Sequence, residues 1–154
     1  MVVLAPEELR RVRGVLYLCG LRGEDLAEAI QDVQLRLLER APEDIRSAVA
    51  WACAVAGRLA VDRHRRAGTR ARLTERLRVL TPTTSRDPDV ALEVSVRAAI
   101  ATLPADLRAV VVLRYYADLE VDAMASALDV PSGTVKSRLH RAQQRLRACL
   151  GEQG

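Results

Sequence analysis

The sequence is poor in aromatic residues, with no Phe, one Trp and three Tyr among 154 residues. Lysine is almost absent as well, because 23 of the 24 basic residues are Arg. Ala, Leu and Val supply most of the apolar content, and this composition favours helices. With 49% hydrophobic and 29% charged residues, the chain is too apolar to be disordered. We therefore predict a folded protein of the all-α class.

Cysteine is scarce and scattered. Cys19, Cys53 and Cys149 form no CxxC pair, and only two histidines could join them as metal ligands. Such a set indicates a reducing compartment, with buried thiols rather than disulfides or a zinc site. The N-terminal stretch MVVLAPEELRR has no apolar run long enough for a signal peptide or a membrane span. We predict a cytoplasmic protein with no metal, no cofactor and no membrane partner.

The signatures of an enzyme are missing too. The sequence offers no pair of carboxylates in a plausible pocket, no nucleophile with a neighbouring base and no phosphate-binding loop. His64 and His140 lie inside arginine-rich helical stretches, where an exposed position is the ordinary interpretation. We predict no catalytic residues, so the protein is not expected to be an enzyme.

The net charge of +4 is distributed in alternating blocks. Residues 1–44 hold six Arg against nine acids, whereas residues 58–78 hold eight against two. Residues 79–130 hold four Arg against eight acids, and residues 131–150 hold five basic residues and no acid. The two basic blocks indicate polyanion binding or, alternatively, a solvated charged surface.

Apolar spacing predicts three helices in the N-terminal part. The first begins at Pro6 and runs to Cys19, the second covers EDLAEAIQDVQLRLLER and ends before Pro42, and the third covers IRSAVAWACAVAGRLAVDRHRRA after a cap at Asp44 or Ser47. Residues 69–92 are predicted as a flexible linker. Its first part, RARLTERLRVL, could continue as a short helix, whereas Thr81 to Asp89 is predicted to be exposed, because TPTTSRDPD has two prolines and no periodicity. The linker would join two small helical domains, residues 1–68 and 93–154.

The stretch from residue 121 to residue 147 has the spacing of a helix-turn-helix. Asp129 would occupy the tight turn, since Asp tolerates left-handed backbone geometry, and Val130 would fill the angle between the helices. Ser132 is predicted to cap the second helix, whose N-terminus favours a phosphate, and to be one of the DNA-binding residues. The first helix is predicted to present a face of small residues, namely Ala123, Met124, Ala127 and Leu128.

The second helix of this motif has one apolar face and one basic face. Val135 and Leu139 are predicted to face the core, with Leu146 and Leu150 continuing the stripe. The candidates for contacts to base edges or phosphates are Thr134, Lys136 and Arg138, with Ser137 also exposed, whereas Arg141 and Arg145 are candidates for backbone phosphates. These features predict binding to double-stranded DNA.

The C-terminal stretch LPADLRAVVVLRYYADLEVDAMASALDVPSGTVKSRLHRAQQRLR closely resembles domain four of the extracytoplasmic-function sigma factors of bacteria. Within it, VPSGTVKSRLHRA is close to that family's recognition-helix signature. The resemblance implies recognition of the minus-thirty-five promoter element and contact with the flap of the RNA polymerase β subunit. It places six residues at or beside the DNA groove: Thr134, Val135, Lys136, Ser137, Arg138 and Arg141.

The N-terminal part resembles domain two of the same family. In IQDVQLRL, the resemblance places Gln31, Asp32 and Leu35 where the family binds the clamp helices of the β′ subunit. WACAVAGRLAVDRHRR resembles the stretch that recognises the minus-ten element and opens the duplex. Its candidate DNA-binding residues are Trp51, Arg58, Arg63, Arg65 and Arg66.

The sequence also departs from the family pattern in domain two. Gln34, Ala48 and Cys53 occupy positions where the family usually has aromatic residues, and Arg58 replaces a usual asparagine. The leading hypothesis is an alternative sigma factor that joins core RNA polymerase, recognises promoter DNA and is controlled by an anti-sigma factor, as the resemblance implies.

Three other interpretations remain open. One is a promoter-binding regulator with a degenerate domain two, which needs a partner protein for promoter opening. Another is a dimeric repressor, which would need a dimerisation surface that the sequence does not indicate. The last is an interaction protein that binds only another protein.

Overall fold

The computed structural model describes the backbone of residues 3–40, 47–80 and 94–151, and the side chains of residues 3–39, 47–67 and 94–151. Within these ranges the regular secondary structure is helical throughout, which confirms the predicted all-α fold. The helices are α1 (Pro6–Leu18), α2 (Gly23–Arg40), α3 (Ala48–Leu80), α4 (Val94–Ala101), α5 (Ala105–Val111), α6 (Val121–Leu128) and α7 (Ser132–Gly151). A π-helical turn, Val112–Tyr116, continues α5. None of the helices described is both long enough and apolar enough to span a membrane.

Local signals in the sequence determine where the N-terminal helices begin. α1 begins at Pro6 as predicted, and the Glu8 carboxylate accepts a hydrogen bond of 2.9 Å from the backbone N–H that precedes the helix. Ser47 caps α3, because its Oγ accepts a 3.2 Å hydrogen bond from the Ala50 N–H. The other predicted cap, Asp44, lies outside the described residues, as does the predicted end of α2 at Pro42.

The third helix is longer than predicted. Instead of ending at Ala67, α3 continues to Leu80, so the backbone is helical across the first part of the predicted linker, residues 69–92. The sequence RARLTERLRVL contains no Gly or Pro, and its Arg, Leu and Glu residues favour helix continuation. Residues 81–93 lie outside the described residues. The domain boundaries, 1–68 and 93–154, stay a prediction.

The helices share one continuous apolar core. It includes Leu16 and Val33 in the N-terminal half and Leu113 and Met124 in the C-terminal half. The two halves approach closely at glycines. A Cβ added to Gly57 on α3 would lie only 2.8 Å from Cδ1 of Leu113, so the absence of a side chain allows this contact.

Arg108 on α5 connects the two halves of the chain. Arg108 is buried, with only 4% of its surface exposed. The guanidinium donates hydrogen bonds to the carbonyl oxygens of Ala101, the last residue of α4, at 3.0 Å and of Leu103, in the turn that follows, at 2.9 Å. It also donates a 3.2 Å hydrogen bond to the carbonyl oxygen of Cys19, just after α1. These carbonyl groups offset the cost of removing a cation from water.

Candidate nucleic-acid interface

The connection between α6 and α7 has the geometry of a helix-turn-helix. Asp129 follows α6 with φ 56° and ψ 48°, the left-handed conformation. The N–H groups of Asp129 and Val130 donate hydrogen bonds to the carbonyl oxygens of Ser126 at 3.3 Å and Ala125 at 3.0 Å, and this closes the last helical turn. The predicted role of Asp129 in the turn is confirmed. Val130 packs half-buried against the core, also as predicted.

The inner face of α6 differs by one position from the prediction. Met124 is fully buried, and Ala125 is buried at 7% exposure. Ala123, predicted to belong to this face, is exposed instead. The reason is rotational, because Val121, Met124, Ala125 and Leu128 follow the helical repeat of three and four residues. Ala123 instead lines an open groove between α6 and α3.

Ser132 has a different role from the predicted cap. It is the first residue of α7, and its hydroxyl donates a 3.0 Å hydrogen bond to Oδ1 of Asp122 on α6. The backbone N–H groups of Thr134 and Val135 donate to the carbonyl oxygen of Pro131 at 3.0 Å and 3.2 Å. The predicted cap was therefore wrong, and the Ser132 hydroxyl links the two helices of the motif.

One face of α7 is packed into the core. Val135 and Ala142 have no exposed surface, and Leu139 is 8% exposed. The prediction that Val135 and Leu139 face the core is confirmed, and Val135 cannot therefore contact DNA. Its inclusion among the DNA-contacting residues was wrong, because a side chain that anchors the helix cannot also lie in the groove. Leu146 and Leu150, predicted to continue this apolar stripe, are less buried, since Leu146 is half-buried and Leu150 is 36% exposed.

The opposite face of α7 is hydrophilic and carries no carboxylate along the helix. Its exposed residues recur at intervals of three and four, which places them on one side of the helix. They include Lys136, Ser137, His140, Arg141, Gln144 and Arg145, and we call these six residues the outer face. Thr134 is half-buried at the beginning of the helix. The sequence prediction omitted His140 and Gln144, although four-residue spacing from Lys136 connects all three.

Arg138 lies beside the outer face and is held by the protein itself. Its side chain is 16% exposed, and Nε lies 3.7 Å from Oδ2 of Asp106 on α5. The ion pair with Asp106, whose side chain is 36% exposed, competes with a contact between this guanidinium and a base edge. This placement disagrees with the prediction that Arg138 is a leading base contact, and it gives Arg138 a role in holding α7 against α5.

The residues predicted to bind polymerase lie on one side of α2. Gln31 is exposed, Asp32 is half-buried and Leu35 is 52% exposed. Asp32 is partly engaged within the helix, since its Oδ1 lies 3.6 Å from Nε of Arg36. Leu38, which the prediction did not include, is 53% exposed. Two exposed leucines three residues apart give this side of α2 an apolar surface suited to a protein partner.

Two of the predicted minus-ten residues, Trp51 and Arg58, line a groove of about 510 Å³ between α3 and α6. The α6 wall includes Ala123 and Ser126. Trp51 is half-buried, and Nε of Arg58 lies 3.9 Å from Oδ2 of Asp62 on the same helix. The structure thus brings these residues together with the first helix of the helix-turn-helix, which the sequence did not predict.

The remaining predicted arginines of α3 have different surroundings. Nη1 of Arg63 lies 3.5 Å from Oε2 of Glu28 on α2, and the Arg63 side chain is 29% exposed. Arg65 and Arg66 are exposed on the following turn. These two side chains therefore face water, whereas Arg63 joins α3 to α2.

The buried thiols have the character that the sequence predicts. Burial raises the pKa of Cys19 and of Cys53 from 9.0 to about 12, although Arg108 and Arg11 respectively oppose the change. Both thiols therefore stay protonated at neutral pH and act as small apolar core residues. Among the residues that the structure describes, no group of three His, Cys, Asp or Glu residues could hold a metal ion.

Comparison with known proteins identifies both halves of the chain. Residues 4–70 match the family described as Sigma-70 region 2, and residues 93–146 match the family described as Sigma-70, region 4. The chain is 36% identical to the ECF RNA polymerase sigma factor SigL of Mycobacterium tuberculosis over 150 residues, covering 91% of this chain and 85% of that protein. It is 32% identical over 145 residues to SigM of the same organism, covering 92% of this chain and 72% of that protein.

The fold has a counterpart among solved structures. The sigma factor RpoE of Bartonella quintana, crystallised in complex with the anti-sigma factor NepR, superimposes with a TM-score of 0.71 over 94% of this chain and 92% of RpoE, at 18% identity. Together with the sequence matches over both regions, this similarity defines the class of protein. The chain belongs to the ECF family of RNA polymerase sigma factors and is an alternative sigma factor for transcription initiation.

Proposed function

We propose that this sigma factor recognises the minus-thirty-five element of duplex promoter DNA with the outer face of α7. The observation that carries the proposal is the exposure of Lys136, Arg141 and Arg145 on a helix without a carboxylate. Lys136 and Ser137, near the N-terminal end of α7, are assigned to base edges, because the beginning of a recognition helix enters the major groove. Arg141 and Arg145 are assigned to phosphates. Thr134 contributes at the edge of the contact.

Core RNA polymerase is proposed to bind at two places. The exposed side of α2, with Gln31, Asp32 and Leu35, is assigned to the β′ clamp, and Leu38 extends that apolar surface. Residues 93–154 are assigned to the β flap. The exposed leucines support the first assignment, since apolar surface on a helix is stabilised by burial against a partner.

The minus-ten element is assigned to α3. Trp51 offers an aromatic surface on which an unpaired base can stack, and stacking contributes about 1 to 3 kcal/mol per base. Arg58, Arg63, Arg65 and Arg66 are assigned to the strand backbone. The exposure of Arg65 and Arg66 supports this assignment.

An anti-sigma factor is proposed as the controlling partner. The similarity in fold to RpoE, a sigma factor crystallised with the anti-sigma factor NepR, supports this partner class for the present chain. We place the protein in the cytoplasm, where core polymerase acts, and we assign to it no reaction of its own.

Run-off transcription with purified core polymerase and a pool of promoter fragments tests the proposal. Initiation from specific promoters is the expected result. Arg141→Ala should reduce the yield, whereas the matched Arg10→Ala, an exposed arginine on α1, should leave it unchanged. Polymerase binding without initiation would instead support the promoter-binding regulator with a degenerate region 2. No binding to polymerase would contradict both.

A further inference from the structure

The groove between α3 and α6 is lined mainly by apolar side chains. On α3 the lining residues recur at intervals of three and four from Ala50 to Arg58, so they form one stripe along about 12 Å of the helix. The opposite wall includes Ala123 and Ala127 of α6. Alanine side chains on both walls leave room for a flat molecule beside the Trp51 ring. The groove therefore has the apolar lining that is typical of a small-molecule site.

The volume of the groove also suits a small molecule. At about 510 Å³, it lies within the range of about 300 to 1,000 Å³ that is typical of ligand pockets. Trp51 is half-buried, so part of its ring packs against the protein while the rest is open to a ligand. Stacking of a second aromatic ring on this surface adds to the free energy gained by apolar burial. An aromatic ligand is therefore favoured over an aliphatic one.

The charged groups of the groove favour an anion. Two guanidinium groups, those of Arg36 on α2 and Arg58 on α3, line it, and its described lining contains no carboxylate. Each arginine lies near an aspartate on its own helix, Asp32 at 3.6 Å and Asp62 at 3.9 Å, and the side chains of both pairs are 36% to 47% exposed. Ion pairs that are this exposed contribute little to stability. An arginine can therefore exchange its aspartate for the carboxylate of a ligand at little cost, and a guanidinium binds a carboxylate through two parallel hydrogen bonds.

We propose that this groove binds a small organic anion with an aromatic body and a carboxylate. The aromatic body lies against Trp51 and the alanines of α6, and the carboxylate pairs with Arg58, the more exposed of the two arginines. Because the ligand contacts both halves of the chain, its binding should stabilise the folded protein. The inference goes beyond the proposed function and does not depend on it, since it rests on the lining of the groove alone.

Anilinonaphthalenesulfonate, an aromatic anion whose fluorescence rises in apolar surroundings, is the probe for this site. Trp51 is the only tryptophan of the chain, so energy transfer from Trp51 to the bound probe reports binding near the groove. We expect saturable binding to the wild-type chain. Naphthoate, which has both the rings and the carboxylate, should displace the probe. Naphthol, which lacks the carboxylate, and acetate, which lacks the rings, should displace it far more weakly.

Two substitutions at exposed residues separate the effect of charge from that of the apolar wall. Arg58→Gln should raise the Kd of naphthoate by about tenfold, the loss expected for one charge-assisted hydrogen bond, and should leave the weak binding of naphthol unchanged. Ala123→Leu should fill the groove and weaken the binding of both compounds. The matched controls Arg10→Gln on α1 and Ala98→Leu on α4, both exposed and outside the groove, should bind naphthoate like the wild-type chain.

Thermal unfolding without ligand checks that each variant folds. Naphthoate should then raise the unfolding temperature of the wild-type chain more than that of Arg58→Gln. Equal displacement by naphthoate and naphthol would overturn the assignment of an anion. Naphthoate binding that neither Arg58→Gln nor Ala123→Leu weakens would overturn the groove as its site. No saturable binding would overturn the proposal and favour a macromolecular occupant, such as a helix of a partner protein.

Discussion

Single residues in the core determine which thiols of this protein can react. Cys19 and Cys53 are buried, and burial raises the pKa of each to about 12. Cys149 is only partly buried. We expect a thiol-specific reagent at neutral pH to modify Cys149 rapidly and the other two only on unfolding, because thiolate is the reactive form. Mass spectrometry of the modified peptides measures this, and equal rates at all three positions would contradict the described core.

The same two pKa values predict how stability depends on pH. Burial raises the pKa from 9.0 to about 12, so the unfolded thiols ionise at lower pH than the folded ones. Their contribution is fully present below pH 9.0 and is lost as the pH rises toward 12. Denaturant unfolding above pH 9.0 should show this loss. A variant with alanine at both positions should be less stable at neutral pH and should lose less of its stability as the pH rises.

The ion pair between Arg138 and Asp106 predicts a structural role for Arg138, in contrast to the DNA-binding role proposed for Lys136. Arg138 is 16% exposed and lies 3.7 Å from Asp106, whereas Lys136 on the same helix is exposed. We expect Arg138→Ala to lower the free energy of unfolding by about 1 kcal/mol through lost packing and a partly exposed ion pair. Lys136→Ala should leave stability unchanged and weaken promoter binding. Thermal unfolding and binding to promoter duplexes distinguish the two, and a reversed pattern would restore Arg138 as a base contact.

At the scale of one element, the outer face of α7 should act as a graded DNA-contacting surface. If Lys136 contacts a base edge, Lys136→Ala should weaken the free energy of promoter binding by about 1 to 3 kcal/mol and relax the sequence preference. Arg145→Ala should weaken binding to all sequences equally and reduce the salt dependence by about one unit of slope. Titrations at several salt concentrations, with Arg10→Ala as control, provide the measurement. Identical effects of both variants would contradict the assignment along the helix.

The helix-turn-helix was predictable in its backbone and less so in its side chains. Asp129 was identified because the left-handed turn is a local requirement that few residue types satisfy. The intramolecular partners of Ser132 and Arg138, which are Asp122 and Asp106, lie on other helices and could not be inferred from the sequence. Helical periodicity specifies which side of α7 faces outward, but it contains no information about a carboxylate that the fold brings in from elsewhere.

At the scale of the whole molecule, the class of fold was predictable and the packing between its halves was not. Amphipathic spacing and the resemblance of two separate stretches indicated two groups of helices. Both the contact of Gly57 with Leu113 and the hydrogen bond from Arg108 to Cys19 join residues that are far apart in the chain. The sequence does not indicate which residue packs against a glycine inside a helix. The shared core could therefore be recognised only from the structure.

That shared core predicts the size of the free protein in solution. A compact chain of 154 residues has a radius of gyration of about 15 Å, and two helical units separated by an extended linker would have a larger one. Because one apolar cluster includes Leu16 of α1 and Leu113 beyond α5, separating the halves exposes buried surface. Small-angle X-ray scattering of the free chain should therefore give a single-peaked distance distribution.

Scattering also tests the contacts that hold the halves together. Gly57→Ala introduces a methyl group where only 2.8 Å separates the added Cβ from Leu113, so the distribution should extend to longer distances. Gly133→Ala, which meets no neighbour, should reproduce the wild-type curve. A two-lobed distribution for the wild-type chain would mean that the free protein is already open, and binding partners would then have no closed state to disrupt.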